Sequence, residues 1–338
     1  FYFFLFNVSY GNENIYETAF HKIEITNKDF TQSKIEKIEE IKVITLENIL
    51  YKILTDHNFK KLNRLIDINK EKNFLIKNIL IENEFISLNK YSAEIKINYD
   101  QDEIVQMLRK YKINYTDFES PNFLLIASEK DNIYNIGLTH NNRFYKESNF
   151  NYYGLLNFIY PNLSLNDRYI LPYNKIINKD LNSFIDISLK YNVEYIFIIF
   201  LKKNNQNLFI ELNLFSFSDK KFYEIKKMQL KSNDEYIKII FDFLNNWWKE
   251  KNTINNKKIN KIICHIKNAN VYELNYINNL INSISQVKSN ELISINLGLN
   301  SNELVFYGDF SILSDKLFKN KIQIKIEKTG ECIISSIN

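Results

Sequence analysis

At 338 residues the chain is longer than one ordinary core and suits two or three domains, at a soft prior of ~150 residues each. Hydrophobic residues at 45% and charged residues at 25% supply material for cores and exclude a compositionally disordered chain. The net charge of +4 arises from interspersed rather than blocked signs, so a nucleic-acid partner is not expected.

Residues 1–11, FYFFLFNVSYG, read as a signal-peptide remnant, an apolar run followed by Ser9 and Gly11 near a cleavage site; the alternative is a buried N-terminal strand. No stretch of the given chain reaches the ~20 apolar residues of a membrane span, so no transmembrane span is expected. Residues 15–26 are rich in β-branched and aromatic side chains and suit a strand. Residues 27–55 follow as a long helix, with Phe30, Ile35, Ile38, Ile41, Leu46, Ile49 and Ile53 near helical spacing. Shorter helical pieces are expected at 59–66 and 74–80.

The clearest local signals come next. Tyr91, Ala93, Ile95, Ile97 and Tyr99 alternate with Ser92, Glu94, Lys96 and Asn98, which is the pattern of a half-buried strand. Asp100 then stands where a helix N-cap belongs, Asp102 and Glu103 complement the helix dipole, and Ile104, Val105, Leu108 and Tyr111 form an apolar stripe. The acidic run 100–103 is therefore read as capping. A calcium loop would need glycine where Val105 stands. An N-terminal domain of strand-helix-strand-strand-helix order is expected over 12–118, ending before the Ser120-Pro121 turn signal.

A middle domain, 119–250, is expected to be α/β with a mixed sheet. Its strands are placed at 123–127, 168–172 and 193–201, with a hairpin over 208–217 and 222–230. Its helices are placed at 150–159, 180–191 and 233–249. The nearly continuous apolar run 193–201 marks a strand covered on both faces. Residues 251–258, KNTINNKK, lack hydrophobic periodicity and read as a linker.

The remainder, 259–338, shows βαββαβ order, with a last strand at 322–334 broken near Gly330; this is the order of a ferredoxin-like domain. The first and last strands of that arrangement are neighbours, which brings Cys264 and Cys332 within reach of one another. Two buried free thiols are the expectation, with a disulfide the alternative. The fold class is thus α/β (α+β), built from three small modules.

Reactive constellations are scarce. With only 6 glycines there is no phosphate loop or dinucleotide fingerprint. His21, His57, His140 and His265 are scattered singly, and no serine stands in a GxSxG elbow. No cofactor and no metal is expected. Glu82 and Glu84 fall on one face of an extended segment and can be read as an acid pair, but a solvated strand face is favoured. Asn141 and Arg143, in the polar loop 140–143, are candidate interaction residues, as is the Trp247-Trp248 pair. The structural readings beside them are an ordinary Asn-rich loop and a core tryptophan, since adjacent helical positions point about 100° apart.

The succession ENEFISLNKYSAEIKINYDQDEIVQMLRKYKINY, with Pro121 and NFLLIAS after it, resembles the proteobacterial family called domain of unknown function 2066. The matching positions are Glu84, Phe85, Tyr91, Ala93, Ile95, Ile97, Asp100, Val105 and Leu108, and a later match is ILPYNKIINKDLNSFIDISLKYNVEYIFI. The tryptophans expected after Asn132 are absent, and Phe144 and Tyr145 stand in the aromatic places. The resemblance implies an exported, periplasmic or envelope-associated protein and supplies no catalytic residues. Together these features lead to the expectation of a non-enzymatic interaction or assembly module with envelope protein partners. A hydrolase-type enzyme with a site assembled from dispersed polar residues is the alternative.

Overall fold

The computed structural model describes residues 14–26, 30–130, 134–148, 154–204, 207–231, 235–267, 270–296 and 299–337. The expected signal-peptide remnant, 1–11, lies outside them. The described residues form a mixed α/β structure with three sheets, divided between two compact units: residues 1–117 together with 252–338, and residues 118–251.

The first unit begins with β1 (His21–Thr26), α1 (Thr31–Ile53), α2 (Asp56–Leu65), α3 (Ile68–Glu71), β2 (Ile76–Ile86), β3 (Lys90–Tyr99) and α4 (Gln101–Lys110). Its sheet is antiparallel in the order β1-β3-β2. The alternating strand is therefore central, and its apolar face is buried against Leu46, Ile49, Leu50 and Ile53 of α1. The Tyr99 hydroxyl donates to the Lys42 carbonyl at 2.7 Å and lies 2.8 Å from Thr45 Oγ1, and burial raises its pKa to about 12. Asp100 Oδ1 accepts from the backbone N–H groups of Asp102 and Glu103 at 2.9 and 3.2 Å, capping α4.

Residues 76–80 of the helix expected at 74–80 are instead the start of β2. Ile76 pairs with Tyr99 and Ile79 with Ile97, and a register shift at Lys77 lets two residues three apart both face the core side. A β-bulge has thus imitated helical spacing.

The second unit comprises β4 (Asn122–Lys130), β5 (Asn135–Ile136), α5 (Arg143–Glu147), β6 (Asn157–Ile159), α6 (Leu165–Ile170), α7 (Tyr173–Ile177), α8 (Leu181–Tyr191), β7 (Tyr195–Asn204), β8 (Asn207–Ser216), β9 (Lys221–Lys231) and α9 (Tyr236–Lys251). The sheet runs β5-β4-β7-β8-β9, with β6 also beside β4. β4 and β7 are parallel, while β7, β8 and β9 form an antiparallel meander. Ile196, Ile198 and Phe215 on one face pack with Phe184 and Ile187 of α8 and Ile176 of α7. On the other face Phe123 and Phe197 stack at 4.5 Å beneath the tryptophans of α9. The apolar run of β7 is explained by this two-sided cover.

Two expectations fail in this unit. Residues 157–159 form a short strand parallel to β4, so the described end of the expected 150–159 helix is extended; residues 149–153 lie outside the described set. Residues 168–170 of the expected strand at 168–172 lie instead in α6, which a capping box initiates. The Ser164 hydroxyl accepts from Asp167 N–H at 3.2 Å, and Asp167 Oδ2 accepts from Ser164 N–H at 2.9 Å. Asp167 is fully buried and also receives Lys190 Nζ at 2.6 Å and the Tyr191 hydroxyl at 2.9 Å.

The chain then returns to the first unit with β10 (Ile259–Lys267), α10 (Val271–Ser283), β11 (Val287–Asn296), β12 (Leu299–Tyr307), α11 (Phe310–Lys319), β13 (Ile322–Ile326) and β14 (Cys332–Ser336). The order β11-β12-β10-β14-β13 has one strand more than the four of a ferredoxin-like sheet. The 322–334 segment turns back through Gly330, whose φ of +87° suits a residue without a Cβ. β14 then lies parallel to β10 with Cys264 opposite Cys332.

The two cysteines are joined in a disulfide, their Cα atoms 4.4 Å apart, so the expectation of free thiols is corrected. Direct pairing of their strands brings the side chains together in the core.

The N- and C-terminal modules share one unit because buried groups join them. Ile254, in the expected linker, is fully buried in the N-terminal core and donates its N–H to the Tyr115 carbonyl at 2.7 Å. Lys316 of α11 forms an ion pair with Asp117, both side chains being buried. The Tyr16 hydroxyl donates to the second Asp117 oxygen at 3.2 Å, and Lys316 Nζ donates to Ser285 Oγ at 3.4 Å. The Ser285 carbonyl also accepts from the Tyr115 hydroxyl at 3.1 Å and from the Arg109 guanidinium, which lies 4.1 Å over the Tyr307 ring. Burial pushes the Asp117 carboxyl up, but the Lys316 charge and the hydrogen bonds from Lys316, Ser285 and Tyr16 outweigh it and hold the group below its ordinary value.

Removing one partner of such a pair leaves a buried charge, so Asp117→Asn is expected to cost about 3–5 kcal/mol in urea unfolding, while D117N/K316M regains most of the loss. Because the folded carboxyl titrates below its unfolded value, its contribution is complete above the ordinary ~3.9 and disappears as the pH falls through the lower folded value. A pH titration of unfolding follows that loss. The disulfide closes a loop of sequence separation 68, and its reduction is expected to cost about 4 kcal/mol, with no alkylation of unreduced protein.

Candidate interaction surface

β2 is an edge strand because β3 lies between it and β1, which leaves one side of β2 without a strand partner among the described residues. Its register against β3 sets which side chains face where. Ile81 and Ile86 oppose Ile95 and Tyr91 on the core side, and Leu80 and Phe85 oppose Lys96 and Ser92 on the other. All four are nonetheless exposed, Phe85 by 56% and Ile86 by 59%, and Leu88 in the following turn is exposed by 93%. Five large apolar side chains on one short segment exceed the scattered single residues of an ordinary surface.

The strand is kinked midway. Asn83 adopts φ +52°, and the pairing shifts register between Glu82 and Phe85. The shift breaks the two-residue period on which an acid pair of Glu82 and Glu84 depends. Glu84 instead receives Lys34 Nζ and the Tyr91 hydroxyl, each at 2.8 Å. The hydrogen bond from Lys34, then that from Tyr91, holds the Glu84 carboxyl below its ordinary range. Lys34 lies 4.4 Å over the Tyr91 ring, on which Phe30 stacks at 5.6 Å. These contacts tie the start of α1 to the kinked end of the hairpin and present Phe85, Ile86 and Leu88 on an anchored segment.

The residues singled out from sequence lie elsewhere. Asn141 is exposed in the turn before α5. Arg143 opens that helix, with Nε 3.6 Å from the buried Glu129 carboxylate. Between them Asn142 is fully buried, its amide donating to the carbonyls of Ala127 and Gly137 at 3.0 and 3.2 Å while its oxygen caps α5. Trp248 is buried and donates Nε1–H to the Phe118 carbonyl at 2.7 Å; Trp247 is half-buried against Phe197 at 5.5 Å. Among the described residues the two candidates occupy different elements, the turn and first residue of α5 and the last turns of α9. Among the described residues no group of three or more His, Cys, Asp or Glu is placed to hold a metal ion. The β2 surface had a signal in sequence: the adjacent apolar pairs Leu80-Ile81 and Phe85-Ile86 place apolar side chains on both faces, which a one-sided sheet cannot bury.

No family model matches the chain, and no curated protein matches it. Among solved structures, the LpoB C-terminal domain from Salmonella enterica aligns at 13% identity over 38% of this chain and 93% of that one. Its TM-score is 0.23, a likeness too slight to carry fold or function across. No helix among the described residues is long and apolar enough to cross a membrane.

If the β2 side chains are surface rather than core, Leu80→Lys and Phe85→Glu will each shift the unfolding free energy by no more than about 0.5 kcal/mol. Ile95→Ala, on the buried face of β3, is expected to cost about 2–5 kcal/mol in the same denaturant titration.

Proposed function

We propose that the protein is an exported, non-enzymatic interaction module that receives a partner protein along the edge strand β2. The observation that carries this reading is the group Leu80, Ile81, Phe85, Ile86 and Leu88, exposed on and just beyond a strand whose outer side has no strand partner among the described residues. An extended segment added to such an edge gains main-chain hydrogen bonds, while side-chain burial gives about 1.5–3 kcal/mol per large apolar group. The bulge at Asn83 limits indiscriminate pairing by twisting the edge, so recognition concentrates on the apolar side chains around it.

The Cys264–Cys332 disulfide supports an oxidising compartment, periplasmic or envelope-associated in a bacterial cell. The resemblance of residues 16–201 to the domain of unknown function 2066 family points the same way.

A photo-crosslinking amino acid at Leu88 in the native cell tests the reading. One or a few protein adducts of defined mass are expected in the envelope fraction, and F85E/I86K is expected to reduce them at least tenfold. Absence of any adduct, adducts unchanged by F85E/I86K, or recovery of the protein solely from the cytoplasm would overturn it.

A further inference from the structure

In the second unit a cleft of ≈ 480 Å³ opens on the sheet face where the parallel strands β4 and β7 end. The carboxyl ends of adjacent parallel strands are where open α/β sheets place their ligands, because helices cover the rest of the face and leave this end concave. Here α7 and α8 cover Ile126, Ile198 and Phe215, and further along the strands Ser128, Phe200 and Glu211 line the cleft beside Tyr173 and Ile177 of α7.

The cleft contains a buried polar atom without a partner. Ser128 is 1% exposed, lies in register with Phe200 on the cleft face, and its Oγ makes no hydrogen bond. A native structure rarely leaves a buried hydroxyl unsatisfied, and its donor is available to a bound group. Two residues further, on the same face, Lys130 stands directly beside Lys202 on the neighbouring strand. Like charges in adjacent cross-strand positions repel. Among the described residues neither has a carboxylate partner, whereas the other two lysines of the cleft do: Lys179 Nζ lies 3.4 Å from Glu211 and donates to Asn213 at 2.9 Å, and Lys227 lies 2.6 Å from Glu224. Glu129, between Ser128 and Lys130, falls on the opposite face and pairs there with Arg143, so it does not neutralise the pair.

Apolar walls complete the cleft. Tyr173, Ile177, Phe200 and Phe209 line it, and Ile177 and Phe209 are substantially exposed. An apolar body fits against them with its charged end toward Lys130, Lys202 and Ser128.

We propose that this cleft binds a small organic anion, a phosphate or carboxylate carried on an apolar or aromatic body. The anion sits between the Lys130 and Lys202 ammonium groups and accepts a hydrogen bond from the Ser128 hydroxyl. The site is independent of the β2 surface and holds whether or not that surface receives a protein.

Isothermal titration of the full chain with phenyl phosphate and with benzoate tests the site, and the tighter ligand identifies the head group. Saturable binding by at least one is expected, weaker at high salt and stronger than that of benzyl alcohol. S128A is expected to weaken it about tenfold while leaving the thermal midpoint unchanged or raised, since the free protein loses no hydrogen bond. K130Q/K202Q is expected to weaken it at least tenfold, and K146Q/K328Q, with the same change in charge outside the cleft, to leave it within twofold. Failure of both anions to bind, equal binding of benzyl alcohol, or equal losses in K130Q/K202Q and K146Q/K328Q would overturn the proposal. So would full binding by S128A.

Discussion

The ion pair between Asp117 and Lys316 bridges a sequence separation of 199 residues, and the organisation of the first unit depends on it. Two buried charges are tolerated only when each is paired and hydrogen-bonded, and here Tyr16 and Ser285 complete the set. Those partners come from the start of the N-terminal module and from the turn after α10. Ser285 gathers further donors from Tyr115 and Arg109 through its carbonyl. Satisfying this network requires the C-terminal module to dock on the N-terminal one in one arrangement, to which the apolar contacts of Ile254 and Ile312 add.

The two proposed surfaces arise from one property of sheets, that pairing leaves ends and edges unfinished. β2 is unfinished along its side, because β3 has β1 for its other neighbour and no strand among the described residues follows beyond β2. Its apolar side chains therefore stay in solvent despite sequence that elsewhere makes core. The cleft on the second unit is unfinished at its strand ends, where a serine hydroxyl and two lysines remain without partners among the described residues. One surface suits an extended protein segment and the other a compact anion.

Much of the fold was legible because local physics and tertiary environment agreed. The alternation from Tyr91 to Tyr99, the Asp100 cap and the apolar run of β7 each became the element their pattern indicates. Legibility failed where a local pattern had two readings. Ile76 and Ile79 looked helical because a bulge altered their period, and 168–172 looked extended because its apolar residues hid a capping box beginning at Ser164. The candidate surfaces were less legible still. Ser128 is one polar residue in an apolar strand, and nothing in its neighbours along the chain reveals that its hydroxyl lacks a partner.

Sequence by itself determined the α+β class, most of the strands and helices, and the nearness of the first and last C-terminal strands. These follow from side-chain periodicity and capping, which act over a few residues. Only the tertiary structure decided that residues 252–338 rejoin the N-terminal module, that Cys264 and Cys332 are bonded, and that β2 rather than the tryptophan pair presents apolar surface. Those outcomes depend on which segment covers which, a matter of strand order and of burying charges in pairs across long sequence separations. No local pattern encodes it.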